Sequence, residues 1–226
     1  MSKDPIAATT LSLVDSRLIA ILELLAGAAL LRYQAWRAVL CLRPQSMQVE
    51  VETPADVTQV PAQLADAWAQ LTELGFTLLG AHSEKSPLAP VKHFLNGAHP
   101  THPVVASLCV GSEEEDRLLL LTQSERGFVL TANYRRPSVE VPGTYLAGGL
   151  EGASPERVLK AHLRRVPEIG APLVLQTLES RVNAARVWYS TSGKTELRQQ
   201  HAVGLLWTVG AVGMVGAGIA VLVEAM

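Results

Sequence analysis

The chain of 226 residues contains little cysteine and none of the common motifs that assemble a catalytic group. Its two cysteines, Cys41 and Cys109, lie 68 positions apart, which excludes a disulfide framework or a CxxC zinc ribbon and favours a reducing compartment. The patterns HExxH, GxSxG, GxxxxGK(S/T) and GxGxxG are all absent. We therefore predict no catalytic residues and no cofactor.

The sequence also lacks an excess of charge of either sign. It has 19 Lys and Arg residues against 21 Asp and Glu residues, so no global charge attracts a polyanion, and we expect no nucleic-acid partner. Aromatic residues make up 5% and charged residues 18%, whereas 48% of the residues are hydrophobic, which excludes intrinsic disorder. The mean hydropathy of +0.21 is high for a water-soluble domain.

The hydrophobic excess is concentrated near the C-terminus, where residues 203–223 contain no charged side chain. As a helix this run is about 31 Å long, close to the ~30 Å hydrocarbon thickness of a bilayer. Trp207 lies near its beginning, where aromatic side chains favour the membrane interface. We therefore predict one C-terminal transmembrane helix, residues 203–223, preceded by a juxtamembrane linker, residues 191–202.

Basic residues precede this apolar run. The positive-inside rule then predicts a tail-anchored, single-pass protein of the bacterial inner membrane, with the bulk of the chain in the cytoplasm. Residues 156–198 hold 8 basic and 4 acidic side chains, whereas residues 47–155 hold 6 basic and 13 acidic ones, so we expect the last helices to face the lipid bilayer. The basic residues expected to face lipid are Arg181, Arg186, Lys194 and Arg198.

The predicted membrane helix is rich in small residues. Gly213 with Ala217, and Gly216 with Ala220, have the spacing that lets two helices approach closely. We therefore predict a helix–helix interface, formed either with a second copy of the chain or with another membrane subunit. Its predicted residues are Gly204, Gly210, Gly213, Gly216, Ala217 and Ala220.

Residues 1–45 are predicted to contain an apolar or amphipathic helix, which ends before Pro44. The uncharged run between Glu23 and Arg32 is too short to cross a bilayer. Three interpretations stay open: a helix that docks on the cytoplasmic domain or on another subunit, an interfacial helix with arginines at the lipid headgroups, or a second, distorted span. A single span is the working prediction.

Residues 46–190 alternate short strand patterns with turns and helices. They predict an α+β domain with an antiparallel sheet of about five strands and two or three covering helices. Gly75 is expected to end one helix, and Ser154 and Pro155 to begin the next. Gly127 is expected to close a hairpin turn with a positive φ.

Four histidines, His82, His93, His99 and His102, fall within 21 residues, beside prolines and far from cysteine. We expect exposed loop histidines there rather than a metal site; if a metal bound, its ligands would be His93, His99 and His102. His162, in the helix after Pro155, is expected to bond to a backbone carbonyl at the edge of the core, with a general base as the alternative.

Two further segments have a structural and a functional interpretation. Thr131 and Asn133, opposite Thr122 in the predicted sheet, could line a small ligand pocket or simply belong to the core. The glycine-rich run 143–152, which precedes a helix N-terminus, is expected to be a flexible turn rather than an anion-binding loop.

Three short segments resemble a group of uncharacterised bacterial membrane-anchored proteins. They are Leu74-Gly75-Phe76, the strand Gly127-Phe128-Val129-Leu130-Thr131-Ala132-Asn133, and Ser154-Pro155-Glu156 opening the helix with His162. The resemblance implies a membrane-anchored protein and supplies no activity.

Three hypotheses for function follow. The first is a non-catalytic accessory or assembly subunit of an inner-membrane complex, which binds other subunits through its cytoplasmic domain and its membrane helix. The second is a ligand-sensing module that reports to a partner through the juxtamembrane helix. The third is a membrane-bound metallo-hydrolase that uses His93, His99 and His102. The missing set of nucleophile, base and orienting group favours the first.

Overall fold

The computed structural model describes residues 18–29, 47–85, 91–110 and 115–224. They divide into two compact units. The larger unit is Pro44–Thr195, and the smaller unit combines Met1–Arg43 with Glu196–Met226.

The larger unit contains one sheet of eight strands. The strands are β1 (Gln48–Pro54), β2 (Thr77–Lys85), β3 (Lys92–Ala98), β4 (Val105–Val110), β5 (Asp116–Gln123), β6 (Phe128–Ala132), β7 (Val139–Val141) and β8 (Tyr145–Gly149). Their spatial order is β1-β2-β3-β4-β5-β6-β8-β7. All neighbours are antiparallel except β6 and β8, which are parallel. The predicted α+β class is confirmed, but the prediction of about five antiparallel strands is wrong, because the sheet is larger and mixed.

The glycine-rich run accounts for part of this difference, since it contains β8 instead of a flexible turn. A β-carbon on Gly149 would lie 2.1 Å from the carbonyl oxygen of Tyr134, so glycine is required there by a close backbone approach. The same holds for Gly127, whose β-carbon would lie 1.5 Å from the carbonyl oxygen of Thr144. Gly127 is not among the glycines with positive φ, so the predicted reason for this glycine is wrong.

Helices cover both faces of the sheet. They are α2 (Ala65–Glu73), α3 (Pro155–Arg165) and α4 (Leu178–Ser190), with short 3₁₀ turns at Ala62–Leu64 and Val166–Ile169. One face packs against α2 and α3 through residues such as Leu71, Leu120 and Val158. Since side chains alternate along a strand, Leu121 points to the opposite face, which α4 covers with Ala184.

The helix ends follow the signals in the sequence. Gly75 has a φ of 92° after α2, and the Ser154 side chain accepts a hydrogen bond from the backbone of Arg157 at the start of α3, so both predicted caps are confirmed. Helix α4 begins at Leu178, where Thr177 and Ser180 form a capping box.

The smaller unit consists, in its described part, of α1 (Leu18–Ala29) and most of α5 (Ser192–Glu224). The segment expected to be a linker is helical, since α5 begins directly after Thr191. The most apolar 18-residue stretch of α5 has a mean hydropathy of 2.1, and 11% of that stretch is buried. This helix is therefore long and apolar enough to cross a membrane. Arg32, Arg37, Cys41 and Arg43 lie outside the described residues.

Candidate functional site

A buried polar cluster of the larger unit lies between α4 and the sheet. Strand register places its members on neighbouring strands. Asn96 of β3 pairs with Ser107 of β4 on one side and with Gly80 of β2 on the other. His82 follows Gly80 by two residues, so it lies close to Asn96. Alternation then directs these side chains, together with Glu84, to the face that α4 covers. The helix contributes Arg181 and Tyr189. We call this set of six side chains the polar chain.

The donor and acceptor groups of the polar chain determine the direction of its hydrogen bonds. Arg181 Nε donates to Ser107 Oγ at 3.0 Å, and the Ser107 hydroxyl donates to Asn96 Oδ1 at 2.8 Å. Asn96 Nδ2 lies 2.8 Å from His82 Nδ1, and His82 Nε2 lies 3.3 Å from Glu84 Oε1. Because the ionised Glu84 carboxylate can only accept, the neutral His82 carries its proton on Nε2 and accepts from the Asn96 amide at Nδ1. The Tyr189 hydroxyl donates to Glu84 Oε2 at 2.5 Å.

The charges of this cluster follow from its burial. Burial lowers the pKa of His82, and the nearby Arg181 cation lowers it further, so this imidazole is neutral at pH 7. Burial alone would raise the pKa of Glu84, but hydrogen bonds from His82 and Tyr189 and the charge of Arg181 hold that pKa below its ordinary value. Burial and the adjacent Glu84 raise the pKa of Tyr189 well above 10. The polar chain therefore joins one cation, Arg181, to one anion, Glu84.

Most members of the polar chain are enclosed between α4 and the sheet. His82, Asn96 and Ser107 are each at most 1% exposed, and both carboxylate oxygens of Glu84 accept hydrogen bonds. The Asn96 amide also donates to the carbonyl oxygens of Gly80 and Phe94, at 3.2 and 3.1 Å. Only Nη1 of Arg181 has no hydrogen-bond partner among the described residues of this cluster. The polar chain thus fixes α4 on the sheet.

The structure corrects the expectation that Arg181 faces lipid, since this side chain of α4 points to the sheet and is only 2% exposed. Arg186 contacts the sheet: its guanidinium donates two hydrogen bonds to the carbonyl oxygen of Val49, at 3.0 and 2.6 Å. This contact covers a polar group of the edge strand β1, a position otherwise open to pairing with another chain. Lys194 and Arg198 lie on the first turns of α5, before its apolar run.

His162 is fully buried and bonds to two threonine hydroxyls instead of a backbone carbonyl. Its Nε2 lies 2.9 Å from Thr122 Oγ1, and its Nδ1 lies 3.0 Å from Thr131 Oγ1. The Thr122 hydroxyl donates to the carbonyl oxygen of Pro103 at 2.5 Å, so His162 donates through Nε2 and accepts from Thr131. Burial, together with the Arg165 charge, lowers the pKa of His162 to about 3.

His162 therefore fills the space in which a ligand pocket was considered. Thr131 bonds to His162, and Asn133 uses its amide on the β5 backbone, where Oδ1 accepts from Leu118 at 2.8 Å and Nδ2 donates to Asp116 at 3.1 Å. No free polar group of Thr131 or Asn133 points into a cavity among the described residues. Asn133 does line a surface depression, but its amide oxygen and nitrogen are both used on the β5 backbone.

The candidate metal ligands are divided between the two ends of β3. His93 lies at its beginning, 2.9 Å from the carboxylate of Glu52, whereas His99 and His102 follow its end, roughly 20 Å away at about 3.3 Å per residue. The Nδ1 atom of His99 is engaged, since it accepts from the backbone amides of Thr101 and His102, each at 3.2 Å. The described residues contain no group of three or more potential metal ligands.

The larger unit has two surface depressions with polar side chains in their walls. One, of about 430 Å³, is lined by side chains of both charges, including Arg117 and Glu151, around Tyr134. The other, of about 230 Å³, lies between the His99 loop and residues 172–176. The Cys109 thiol is no nucleophile at neutral pH, because burial raises its pKa to about 11.

Small residues of α5 occupy two opposite faces of that helix. Gly204, Ala211 and Gly218, which are seven residues apart, are buried, and we call them the inner face. We call the exposed Gly210, Gly213, Gly216, Ala217 and Ala220 the outer face. The structure therefore separates Gly204 from the other five residues of the predicted interface.

Comparisons with known proteins do not identify this chain: no family model, no curated protein and no solved structure matches it. The resemblance to bacterial membrane-anchored proteins therefore stays a prediction. Sequence reasoning did not find the polar chain, because inward-facing polar residues such as His82 and Glu84 have the same alternation as a solvent-exposed strand face. The signal available was Arg181 on the apolar side of a helix pattern, beside Val182 and Ala185.

Proposed function

We propose that this protein is a membrane-anchored, non-catalytic accessory or assembly subunit of a bacterial inner-membrane complex. In this proposal α5 is the anchor, the larger unit lies in the cytoplasm, and the outer face of α5 binds a membrane helix of a partner subunit. Localisation and partner both belong to the proposal. Its support comes from what the two faces of α5 contact.

The observation that carries the proposal is the contrast between these faces. A β-carbon on Gly218 would lie 2.7 Å from the carbonyl oxygen of Ala20, so the inner face is already occupied by α1. β-carbons on Gly210, Gly213 and Gly216 would have no atom within 4 Å among the described residues. Lipid chains place no demand for glycine on a helix, whereas a second helix packs closely only against small residues. The outer face therefore has the composition of a helix contact that still lacks its partner.

The larger unit supports a non-catalytic role. Its buried ionisable groups serve the polar chain or, in the case of His162, the contact between α3 and the sheet. Those groups hold helices in place and do not converge on a cleft. A domain of this kind suits binding of other proteins through its surface.

The experiment is affinity purification of the tagged full chain from gently solubilised membranes. We expect one or more membrane proteins to co-purify in a fixed ratio. Leucine at both Gly213 and Ala217 should reduce that ratio about tenfold, equivalent to a loss of about 1.4 kcal/mol in binding free energy. Val212→Leu, an enlargement beside the outer face at a residue that is 57% exposed, is the matched control and should have no effect. Purification of the chain alone, or as a homo-oligomer, contradicts the proposal.

A further inference from the structure

The two helices of the smaller unit pack closely along small residues. A β-carbon on Gly27 would lie 2.7 Å from Val215 Cγ2 and 2.9 Å from the carbonyl oxygen of Ala211. At the other end of the contact, a β-carbon on Gly218 would lie 2.8 Å from Leu24 Cγ. Ala20 and Ala211 are each 1% exposed. Glycine and alanine therefore let the two backbones approach each other directly.

These contacts also determine the direction of α1 and its position along α5. Ala20, early in α1, lies beside Gly218, and Gly27, seven residues later, lies beside Ala211 and Val215. The chain thus advances along α1 while it goes back along α5, so the helices are antiparallel. Leu18 is level with the last turn of α5, and the whole of α1 lies along the half of the apolar run that ends at Val223.

We infer that α1 is a second membrane segment, which forms an antiparallel hairpin with α5 and places the chain before Leu18 on the far side of the membrane. The inference depends on the proposed function, since it takes α5 to be a membrane span. If residues 203–223 cross the bilayer, hydrocarbon surrounds the half that ends at Val223, and a helix packed against that half lies in hydrocarbon too. A helix at the cytoplasmic headgroups would instead lie level with Val203, at the other end of this run.

The charge pattern of the sequence agrees with a hairpin. Arg32, Arg37 and Arg43 follow α1 in the sequence, and Lys194 and Arg198 precede the apolar run of α5. Charged residues are balanced elsewhere: Glu224 follows the apolar run of α5, and the chain before α1 has two basic and two acidic residues, at positions 3, 17, 4 and 15. This asymmetry is the one that the positive-inside rule requires for a cytoplasmic domain inserted between two spans.

Glu23 is the one ionisable residue within the described helix α1. It is half-buried, whereas its neighbours Leu22 and Leu25 are 57% and 63% exposed. Ionisable side chains inside membranes face the helix bundle rather than lipid. The orientation of Glu23 is therefore the one expected for a segment within the bilayer.

Topology is tested by cysteine labelling in a bacterial host. Cys41 and Cys109 are first replaced by serine, and single cysteines are then introduced as Ala8→Cys, before α1, and as Ser138→Cys, in the larger unit. We expect a membrane-impermeant maleimide to label Ala8→Cys in intact spheroplasts and Ser138→Cys only after lysis. Labelling of Ala8→Cys only after lysis overturns the hairpin and leaves the anchor intact. Release of the whole chain by alkaline carbonate would instead show that α5 is not a span, and both proposals would fail.

The helix contact itself is tested by a disulfide within the membrane-bound chain. The Leu24→Cys, Gly218→Cys pair places a sulfur close to the Leu24 Cγ position, 2.8 Å from the new β-carbon, a spacing that suits a disulfide. We expect mild oxidation to protect both thiols from alkylation in most molecules. The matched pair Leu24→Cys, Gly216→Cys, with the second cysteine away from α1, should stay reactive. Equal protection of both pairs, or of neither, contradicts the hairpin.

Discussion

The guanidinium of Arg181 in α4 donates a 3.0 Å hydrogen bond to the hydroxyl of Ser107 in β4, 74 residues earlier in the chain. Both side chains are buried, and Asn96 and His82 continue the hydrogen bonds from Ser107 to the carboxylate of Glu84. A buried cation and a buried anion are thus held at opposite ends of one chain of hydrogen bonds. Their mutual compensation makes the free energy of unfolding sensitive to either residue.

Replacing Arg181 by methionine keeps much of the side-chain volume and removes the charge. Glu84 is then a buried anion without its cation, and we expect the free energy of unfolding to fall by about 3–5 kcal/mol. Urea unfolding of the full chain in detergent measures the change. Arg198→Met, at an exposed position of α5, is the matched control and should stay within about 0.5 kcal/mol of the parent.

A second variant separates lost charge compensation from lost packing. Adding Glu84→Gln to Arg181→Met removes the uncompensated anion, so the double variant should recover part of the lost stability. A double variant that is less stable than Arg181→Met would mean that the two charges do not compensate each other.

His162 makes stability depend on pH in a defined direction. The unfolded chain binds a proton at histidine below pH 6.5, whereas the folded pKa of His162 is about 3. The contribution of His162 is therefore complete above pH 6.5 and is lost as pH falls, by about 1.4 kcal/mol per pH unit once the unfolded histidine is protonated. The lowered pKa of His82 acts in the same direction, so the parent protein has a slope from both residues.

His162→Gln can keep one donor and one acceptor for Thr122 and Thr131 but cannot be protonated. Between pH 6 and pH 4 its unfolding free energy should change less steeply than that of the parent, by about 1.4 kcal/mol per pH unit. Thr131→Val, which lowers stability but keeps the histidine, should retain the parent slope. An unchanged slope in His162→Gln would show that His162 is protonated in the folded state over this range.

Gly127→Ala tests whether the parallel pairing of β6 and β8 depends on a close backbone approach. The new β-carbon would lie 1.5 Å from the Thr144 carbonyl oxygen, which accepts the backbone hydrogen bond of Phe128. We expect the start of the β6–β8 pair to open, at a cost of about 3 kcal/mol or more, within the range of severe core substitutions. Thermal unfolding of the full chain measures the loss.

Gly143→Ala is the control for conformational strain alone. Gly143 has a φ of 73° and no atom within 4 Å of its β-carbon position among the described residues, so alanine there should cost only about 1–2 kcal/mol. Equal losses for the two variants would mean that backbone conformation, and not the approach of Thr144, decides the need for glycine at position 127.

Local signals in the sequence were sufficient for several elements. Ser154 and Pro155 begin α3 and Gly75 follows α2, because a helix cap depends on residues within one turn. The number of strands could not be predicted in this way. β8 contains Gly148 and Gly149, which do not give the hydrophobic alternation typical of a strand. It also pairs in parallel with β6, although β7 lies between the two strands in the sequence, and the residues of a strand do not show which distant strand it will pair with.

At the candidate sites, too, the sequence predicted local features but not the contacts between distant residues. The spacing of small residues predicted a close helix contact in α5, but spacing cannot show which face α1 covers, because Gly204, Ala211 and Gly218 differ from Gly210, Gly213 and Ala217 only in what lies opposite them. Basic residues before an apolar run likewise predicted a lipid-facing group. Arg181 was wrongly included, since the sheet that buries it is contributed by residues far away in the chain.

The sequence by itself determined a long apolar helix near the C-terminus, an α+β domain before it, the end of α2 and the beginning of α3, since length, hydropathy and capping are local properties. The tertiary structure decided the strand pairing, the order of hydrogen bonds from Arg181 to Glu84, the neutral state of His162 and the occupied face of α5. Each of these depends on which distant groups become neighbours when water is excluded, and burial then fixes their charges and their hydrogen-bond partners.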